Sequence, residues 1–571
     1  MTSTYDDLLV VFQAGFDRLA PGADPVLRAS DRADYQVNGV MGLAKQLGRK
    51  PRDVAEELIG LLDLTDVASV EVAGPGFLNV TLTATFLSRH LNELLVDERL
   101  GVPAANTPKT IVIDYSAPNV AKEMHVGHLR STVIGDALAR THRFLGNTVI
   151  ARNHVGDWGT PFGMLIEHLL DLGESNAVAE LSIGDLDGFY RAARAKFDAD
   201  DNFKERSRQR VVALQAGDDE TRRLWKVLVD QSVRYFQEVY DKLDVSLTPA
   251  DVVWESFYNP MLQDVVRDLD AAGLLVDSDG ASCVFPEGFV NRDGEPLPVI
   301  VRKSDEGFGY AATDLAAVRD RVSELHADEL LYVVGAPQAQ HFDMVWSVAR
   351  SAGWLPERVV CEHVAFGNVL GPDRKMFKTR SGGTVKLVGL LDEAIKKADA
   401  GLRERNPEGD PDERRALALV IARAAVKYAD LSTERVKDYV FDLERMVAFE
   451  GDTGPYLAYA HARIRSIFRR LEGPTPTTAT FLLDEPAAKH LALGLVEFPA
   501  AVAGMMATWS PHRLCTYLFD LAQRFTSFYE VCPVLSAEGP VRDERVALCA
   551  LTARTLSTGL SLLGIEAPER M

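Results

Sequence analysis

The sequence predicts a multidomain α/β protein: a small N-terminal α+β domain, a doubly wound parallel sheet that carries an insertion, and a C-terminal all-α helix bundle. Three observations predict this fold class. Strand-like apolar runs at 111–114, 148–152 and 330–334 alternate with helical segments, as in doubly wound sheets. The first hundred residues combine helical patterns with two alternating, strand-like runs. Beyond about Leu387, almost every segment has helical spacing.

The composition fits several soluble globular domains. The chain has 571 residues, of which 47% are apolar and 25% are charged. No run of about 18 uninterrupted apolar residues occurs, and the N-terminus has no export signal, so we expect no membrane span and a cytoplasmic location. The five cysteines are far apart and form no CxxC pair, so we expect neither structural zinc nor a disulfide framework. The net charge of −21 argues against a general nucleic-acid binder, although a local basic face on an acidic body remains compatible.

The N-terminal domain is predicted to span residues 1–105 and to end in a Pro- and Ala-rich linker at 101–108. Its amphipathic segments predict helices, and its alternating runs predict strands around the turn Gly74-Pro75-Gly76. The predicted helices cover 8–18, 37–47 and 53–62, and the predicted strands cover 69–72 and 77–82.

The sheet domain is predicted to span residues 106–390, with an insertion at about 170–300 between its two halves. A charged helical stretch at 203–240 and hairpin-like pieces near Gly280 and Gly294 indicate the insertion. A free-standing domain fits the same spacing.

The last third of the chain is predicted to consist of a helical connection at 391–454 and an α-helical domain at 455–571. Helical spacing extends over 390–400, 414–429, 443–449, 457–471, 487–495 and 514–530. A Pro- and Thr-rich loop at 472–480 separates the fourth of these segments from the fifth.

The run His125-Val126-Gly127-His128 lies between the predicted strand at 111–114 and a helical segment. A helix N-terminus offers unpaired N–H groups and partial positive charge to phosphates. Gly127 permits close approach of a nucleotide to the backbone, and two imidazoles add hydrogen-bond donors. The motif therefore predicts a nucleotide-phosphate site, although four residues alone are a weak signal.

The surrounding residues strengthen this prediction. The segments 115–131 and 153–160, the second reading Asn-His-Val-Gly-Asp-Trp-Gly-Thr, resemble the nucleotide-binding core of class I aminoacyl-tRNA synthetases, and in particular the arginyl branch. The run 375–386 resembles that branch's KMSKS loop, and 564–571 resembles its C-terminal end. The resemblance extends over nearly the whole chain. It implies an arginine–tRNA ligase that activates L-arginine with ATP and Mg²⁺ and then acylates the terminal adenosine of tRNA(Arg).

Adenylate formation builds up charge on phosphate oxygens, so positioned donors and cations are needed. His125 and His128 suit that face. Lys122 could be a solvated surface lysine, but the resemblance implies that it replaces a lysine missing from the mobile loop. The resemblance assigns ATP contacts to His125, Gly127, His128, His341, Lys375 and Lys378, and catalytic roles to His125, His128, Lys122 and Lys378.

The loop departs from the family pattern. Lys375-Met-Phe-Lys378-Thr aligns with KMSKS if both lysines are kept. In the other register, Phe377-Lys378-Thr379-Arg380 occupies the frame and the second lysine is absent. The flanking Gly371-Pro372 and Gly382-Gly383 favour a loop that closes over the triphosphate, whereas an ordinary charged turn is the alternative.

Recognition of arginine needs a carboxylate for its guanidinium group. Tyr310 and Asp314 lie four residues apart and share one face of a predicted helix. The resemblance assigns arginine binding to these two residues and to Asn119 and Gln338. A cap or surface pair would look the same in sequence. For Asp157 and His154, contact with the ligand and bracing of a turn both remain open.

A basic helical segment at 461–470 stands out in an acidic chain, and Tyr456 and Tyr459 precede it. Tyrosines can stack on unpaired bases while arginines contact phosphates, so we predict that Tyr456, Tyr459, Arg463 and Arg470 bind tRNA and that residues 455–571 recognise the anticodon. Core tyrosines with a solvated basic face are the alternative. A second cluster, Lys45, Arg49, Lys50 and Arg52, suggests that the N-terminal domain also contacts tRNA.

Two rival functions use the same motif. A small-molecule nucleotidylyltransferase or ATP-dependent ligase would share the histidine site but would not need a basic, tyrosine-bearing bundle. A catalytically silent tRNA-binding relative would not need His125, His128 and Lys122 intact. We therefore expect an active ligase, and we expect it to be monomeric.

Overall fold

The computed structural model describes residues 4–30, 32–157, 160–173, 186–304, 307–371, 373–375, 385–471 and 474–571. The chain forms two compact units. The first comprises Met1–Ala104, Phe449–Ser561 and Glu566–Met571, and the second comprises Ala105–Ala448 and Leu562–Ile565. The N-terminal domain and the C-terminal bundle therefore belong to one unit, which the sequence pattern did not predict.

The N-terminal part of the first unit is α+β, as predicted. Its antiparallel sheet has the spatial order Leu27–Ala29, Tyr35–Val37, Phe77–Leu82 and Ala68–Ala73. The predicted helix at 37–47 begins later, at Val40, because Tyr35–Val37 pairs as a strand with Phe77–Leu82. The helices are Thr4–Leu19, Val40–Leu47, Pro51–Leu61 and Ala84–Val96.

The C-terminal part of this unit is helical, as predicted. Arg554 donates to the carbonyls of Leu95 and Asp97 (2.8 and 2.6 Å), where the helix Ala84–Val96 ends. The side chain of Asn92 exchanges two hydrogen bonds of 2.9 Å with the backbone of Ala479. The helices are Gly454–Arg470, Pro486–Val496, Phe498–Met506, His512–Val531 and Gly539–Leu562.

The second unit is built around a five-stranded sheet whose neighbouring strands are all parallel. The chain moves outward in one direction from Thr110–Asp114 and in the other from Glu329–Tyr332, and these two strands are neighbours. Such a doubly wound sheet binds ligands at the carboxyl ends of the strands where the order reverses. The spatial order is Val360–His363, Glu329–Tyr332, Thr110–Asp114, Thr148–Val155 and Val252–Trp254.

The helix Val126–Phe144 follows the strand Thr110–Asp114 and packs closely on its end. A Cβ atom at Gly135 would lie 2.3 Å from Cγ of Tyr115. Only glycine therefore lets the helix cross this tyrosine at the observed distance.

The insertion is mostly helical, and the predicted helical stretch is divided in two. The stretch 203–240 forms two helices, because Gly217 ends the first with φ +85° and Asp218 caps the second. The strand Val252–Trp254 joins the main sheet, and the insertion belongs to the same compact unit as that sheet. Its helices are Leu186–Ala199, Asp201–Ala216 and Asp219–Leu243.

A small antiparallel sheet follows, with the predicted hairpin turn at Gly280. Its strands are Val276–Ser278, Ala281–Val284 and Val299–Arg302. Other described α-helices around the main sheet are Thr160–Leu172, Asn259–Ala271, Tyr310–Ser323 and Ala339–Ser351. Short 3-10 turns occur at Pro249–Asp251, Glu255–Tyr258 and Ala336–Gln338.

The segment predicted as a helical connection, 391–454, is helical over most of its length, and up to Ala448 it belongs to the sheet unit. Val369–Leu370 pairs in parallel with Tyr439–Val440. The helices of this part of the chain are Leu387–Arg405, Pro411–Leu431 and Leu443–Met446.

All five cysteines are free, and four of them are buried. Among the described residues, no helix has the length and apolar character needed to cross a membrane.

Candidate active site

The HVGH turn lies where Val126–Phe144 begins, and His125 is its N-cap residue. The Nδ1 atom of His125 accepts from the backbone N–H of Gly127 (3.0 Å). The Nδ1 atom of His128 accepts from the backbone N–H of His125 (3.1 Å). A ring nitrogen that accepts carries no proton, so each neutral imidazole carries its proton on Nε2. Both rings thus keep an Nε2–H donor.

Both imidazoles are held in the neutral form. Burial, helped by the neighbouring His125, lowers the pKa of His128 to about 3. Burial also lowers the pKa of His125; Asp187 opposes this shift and Lys122 adds to it. The ring centroids lie 4.1 Å apart. At neutral pH the pair therefore offers two N–H donors without permanent positive charge.

Gly127 and Lys122 lie on either side of His125. Gly127 is exposed, and a Cβ atom there would lie 2.8 Å from Nδ1 of His125. The glycine is therefore needed for the capping geometry as well as for close approach of a ligand. Lys122 is exposed, and its Nζ atom lies 4.7 Å from the centroid of the Tyr190 ring.

The far end of the KMSKS-like segment is attached directly to the HVGH turn. Val126 N–H donates to the carbonyl of Val385 (3.1 Å), and Leu387 N–H donates to that of Met124 (2.9 Å). Lys386 also pairs with buried Glu123, with 3.0 Å between Nζ and Oε1.

Of the two predicted loop lysines, only Lys375 belongs to the described residues. It is exposed, and its carbonyl accepts from Gly371 N–H (2.8 Å). Lys378 lies outside the described residues, as do its neighbours from 376 to 384.

Asn119 is exposed at the carboxyl edge of the sheet, in a stretch of backbone with unusual conformation. Ser116, Ala117 and Ala121 have φ values of +75°, +45° and +56°, a backbone region that residues other than glycine seldom adopt. A Cβ atom at Gly156 would lie 2.7 Å from Oδ1 of Asn119. Gly156 thus makes the space that the Asn119 side chain occupies.

In the adjoining segment Asp157 is buried, and the side chain of His154 is 14% exposed. Asp157 accepts from the backbone N–H and hydroxyl of Ser256 (2.9 and 2.5 Å), so it braces the turn. His154 Nδ1 lies 4.0 Å from the carboxylate of Asp114, and burial lowers its pKa. Trp158 and Gly159 of the same motif lie outside the described residues.

Asp314 and His341, which the sequence assigned to arginine and to ATP respectively, contact one another. The distance from Asp314 Oδ2 to His341 Nε2 is 2.6 Å, and this hydrogen bond raises the pKa of His341. Tyr310 begins the helix that carries Asp314 and is 77% exposed. Gln338 is exposed immediately before the helix of His341.

Glu255 is a candidate residue that the sequence pattern did not reveal. Burial, followed by repulsion from Asp157 and Asp314, raises its pKa to about 7. Its Oε2 atom lies 3.7 Å from the position a Cβ would take at Gly156. An available signal was its place directly after the strand Val252–Trp254, at the binding edge of the sheet.

Comparison with known families covers most of the chain. Residues 90–443 match the family described as tRNA synthetases class I (R), catalytic domain. Residues 19–82 match the arginyl tRNA synthetase N-terminal domain, and residues 457–571 match the DALR anticodon binding domain. The chain belongs to the arginyl-tRNA synthetase family.

Individual relatives support the same assignment over the full length. The arginine–tRNA ligase of Thermobifida fusca is 55% identical over 551 residues, which cover 96% of this chain and 95% of that protein. That of Frankia casuarinae is 50% identical over 581 residues, 100% and 99% of the two chains.

Solved structures agree. Arginyl-tRNA synthetase from Plasmodium falciparum has a TM-score of 0.87 at 28% identity and covers all of both chains. That from Thermus thermophilus has 0.81 at 25% identity and covers 99% of this chain and 100% of its own.

This synthetase is thus an arginine–tRNA ligase: it activates arginine with ATP and transfers it to its tRNA. The predicted function and fold class are confirmed. The rival function of a small-molecule nucleotidylyltransferase does not account for the matched N-terminal and anticodon-binding domains.

The residues predicted to bind tRNA lie on the helix Gly454–Arg470 of the synthetase's first unit. Tyr456 is half-buried, and its ring lies 5.6 Å from that of Phe519. Tyr459 is 41% exposed. Arg463 stacks over the ring of Tyr529, with Cζ 4.8 Å from the centroid.

The basic character of this helix is only partly available to a ligand. His461 Nδ1 lies 3.0 Å from the Pro568 carbonyl, Arg465 pairs with the Glu569 carboxylate at 2.6 Å, and Arg469 donates to the Glu569 carbonyl at 2.7 Å. These three side chains hold the C-terminal residues of the chain. Arg470 is exposed at the end of the helix.

Proposed function

We propose that this arginine–tRNA ligase stabilises adenylate formation with the neutral imidazoles of His125 and His128 and the ammonium group of Lys122. The observation that carries the proposal is the hydrogen bonding of the HVGH turn, which leaves an Nε2–H donor on each ring. Gly127, His341, Lys375 and Lys378 are proposed as further ATP contacts, with Lys378 also taking a catalytic role.

The chemistry explains why neutral donors suit this position. The arginine carboxylate attacks the α-phosphate of ATP, and pyrophosphate leaves with the bonding electron pair. Negative charge moves onto phosphate oxygens in the transition state, where preorganised donors act most strongly. Uncharged imidazoles hold the released pyrophosphate less tightly than two fixed cations would. Lys122 and the helix N-terminus supply the remaining positive potential.

The arginine pocket is proposed to consist of Asp314, Glu255, Asn119, Tyr310 and Gln338. Arginine brings a guanidinium and an ammonium group, and the two carboxylates provide complementary charge. The bond between Asp314 and His341 must open or be shared when the guanidinium arrives.

The remaining partners follow from the reaction. Mg²⁺ is proposed to enter with ATP and to be bound mainly by the phosphates, as is usual for this ion. Tyr456, Tyr459, Arg463 and Arg470 are proposed to contact tRNA(Arg). The enzyme is proposed to act as a monomer in the cytoplasm, where tRNA is charged for translation.

Three substitutions of His128 test the phosphate role by separating the two nitrogens. His128→Asn keeps an acceptor near the Nδ1 position but removes the distal donor, whereas His128→Gln does the reverse. In ATP–pyrophosphate exchange, we expect His128→Ala and His128→Asn to lose about 10²–10³-fold in kcat with little change in KM for arginine. His128→Gln should lose less. If these variants only raise KM for arginine and keep the parent kcat, His128 lies outside the phosphate site.

A further inference from the structure

The helix Leu186–Ala199 of the insertion contacts the backbone segment that carries Lys122. Asp187 and Tyr190 lie three residues apart and therefore on one face of this helix. Asp187 Oδ1 accepts from the backbone N–H of Glu123 (3.1 Å), and the Tyr190 ring lies under the Lys122 ammonium at 4.7 Å. The helix thus fixes both the main chain and the side chain at this position.

We propose that Tyr190 is a positioning residue, which holds the Lys122 ammonium beside the HVGH turn and ready for the ATP phosphates. The proposal rests on the role proposed for Lys122 above. It assigns a task in adenylate formation to an aromatic residue of the insertion, outside the sequence motifs of the nucleotide site.

An aromatic ring is a better partner than a carboxylate for positioning the Lys122 ammonium group. A lysine on an exposed position has a long stem and many rotamers, so it needs a partner to stay in one place. The face of an aromatic ring attracts an ammonium group through its quadrupole, within about 6 Å of the centroid, and leaves its positive charge intact. A carboxylate partner would neutralise much of that charge before ATP arrives.

The neighbouring acids are engaged elsewhere. Glu123 is buried and pairs with Lys386 at 3.0 Å. Asp187 receives the Glu123 N–H. Tyr190 therefore supports Lys122, while these two carboxylates hold the backbone at Glu123 and the side chain of Lys386.

A double-mutant cycle with the full-length enzyme tests the inference. We expect Tyr190→Leu to lower kcat for arginine-dependent ATP–pyrophosphate exchange, measured with tRNA present, by about three- to tenfold, a size typical of a cation–π contact. KM for arginine should not change, and Tyr190→Phe, which keeps the ring, should restore the parent rate. In a Lys122→Met background, the same Tyr190→Leu change should add no further loss.

Phe197→Leu is the matched control, because it removes the ring under Arg194 (5.6 Å) farther along the same helix. It should leave exchange unchanged and should shift thermal unfolding about as much as Tyr190→Leu does.

The outcomes separate the two levels of the proposal. If Lys122→Met is severely impaired but Tyr190→Leu matches the parent, the inference about Tyr190 is overturned and the role of Lys122 stands. An equal loss from Tyr190→Leu in both backgrounds also overturns it, because the ring would then act independently of the lysine. Parent-like activity of Lys122→Met would instead remove the phosphate role of that lysine.

Discussion

At the residue scale, Asp314 is the carboxylate proposed to pair with the guanidinium group of arginine. Asp314→Asn removes the charge but keeps the shape, so the fold should persist while arginine activation is lost. Loss of one charge-assisted partner costs about 2–4 kcal/mol, or roughly thirty- to a thousandfold in kcat/KM. Steady-state exchange kinetics over a range of arginine concentrations measure this effect.

The matched control is Asp343→Asn, an exposed carboxylate on the helix that carries His341. It should behave like the parent. Unchanged KM and turnover for arginine in Asp314→Asn would show that another residue binds the guanidinium.

The arginine pocket also predicts a pH dependence. The pKa of Glu255 is raised to about 7, and the hydrogen bond to Asp314 raises the pKa of His341. As pH rises from about 6 to about 8, Glu255 gains negative charge and His341 loses the proton that competes for Asp314. Both changes favour a cationic substrate, so KM for arginine should fall over this range. Asp157 also faces Glu255, and His154 is kept neutral by burial.

Measurements of KM for arginine between about pH 6 and pH 8 in the parent, in Glu255→Gln and in His341→Gln check this dependence. Each substitution should flatten the profile in part, and a double variant should remove most of it. A parent KM that is constant over the range would contradict the assignment of these groups to the pocket.

The sequence predicted part of the site because some residues belong to local motifs. His125, Gly127 and His128 are neighbours in one turn, so their spacing suggested a phosphate site, and the neighbouring motifs strengthened that prediction. Glu255 and Tyr190 are far from that motif in sequence, and only the folded insertion brings Glu255 close to Gly156 and Tyr190 under Lys122. The contact between Asp314 and His341 could not be predicted from the sequence either, because it joins two different helices.

At the element scale, a buried ion pair fixes the catalytic helix. Arg130 and Asp430 are both almost fully buried, with 3.3 Å between Nε and the carboxylate. Arg130 also donates to the carbonyl of Lys437 (2.8 Å) and lies over the Tyr439 ring at 5.3 Å. Tyr439–Val440 pairs as a strand with Val369–Leu370, which lies just before the KMSKS-like segment. The contacts of Arg130 therefore link the helix of His125 and His128 to that strand.

Arg130→Met should destabilise the protein strongly, since it leaves the Asp430 carboxylate buried without its guanidinium. The expected loss is about 3–5 kcal/mol in free energy of unfolding, measured by urea denaturation. The double variant Arg130→Met, Asp430→Leu should recover most of that loss, because an apolar pair of similar volume fills the same space. A double variant no more stable than the single one would mean that packing, not the unpaired charge, determines the cost.

Element predictions succeeded where a helix or strand had two different faces. The helix at 53–62 and the strands at 69–72 and 77–82 were found from their amphipathic patterns, and the structure contains them. The helix Gly539–Leu562 was missed because residues 546–553 are buried or nearly so on every side, which removes the amphipathic stripe. The break at Gly217 was missed because helical periodicity continues on both sides of it.

At the scale of the whole molecule, the tRNA must be bound by charges that the fold leaves available. Arg463→Ala combined with Arg470→Ala should weaken the tRNA complex and make its salt dependence shallower by about one unit for each phosphate that is no longer neutralised. Arg465→Ala is the comparison, because Arg465 already pairs with Glu569. Filter binding at several salt concentrations measures the slope. A double variant with the parent slope would mean that this face is only solvated surface.

The order of the reaction is the last property that the arrangement predicts. Arginine-dependent pyrophosphate exchange should be near background without tRNA and should rise when tRNA is added. Lys122 is exposed and its ammonium group lies over the Tyr190 ring, and the loop aligns with KMSKS in only one of two registers. Such a site has little fixed positive charge with which to organise the triphosphate unaided.

Bound tRNA can shift the enzyme towards its competent arrangement if it binds that arrangement more tightly. A tenfold stimulation needs only about 1.4 kcal/mol of such preference, which lies within the usual range of coupling free energies. Exchange should therefore be measured with intact tRNA, with tRNA that lacks its terminal adenosine, and with no tRNA. Stimulation by the shortened tRNA would show that binding alone is sufficient, whereas stimulation only by intact tRNA would place the coupling at the terminal adenosine. Full activity in the sample without tRNA would mean that Lys122 and the loop assemble the site by themselves, and the coupling would then be absent.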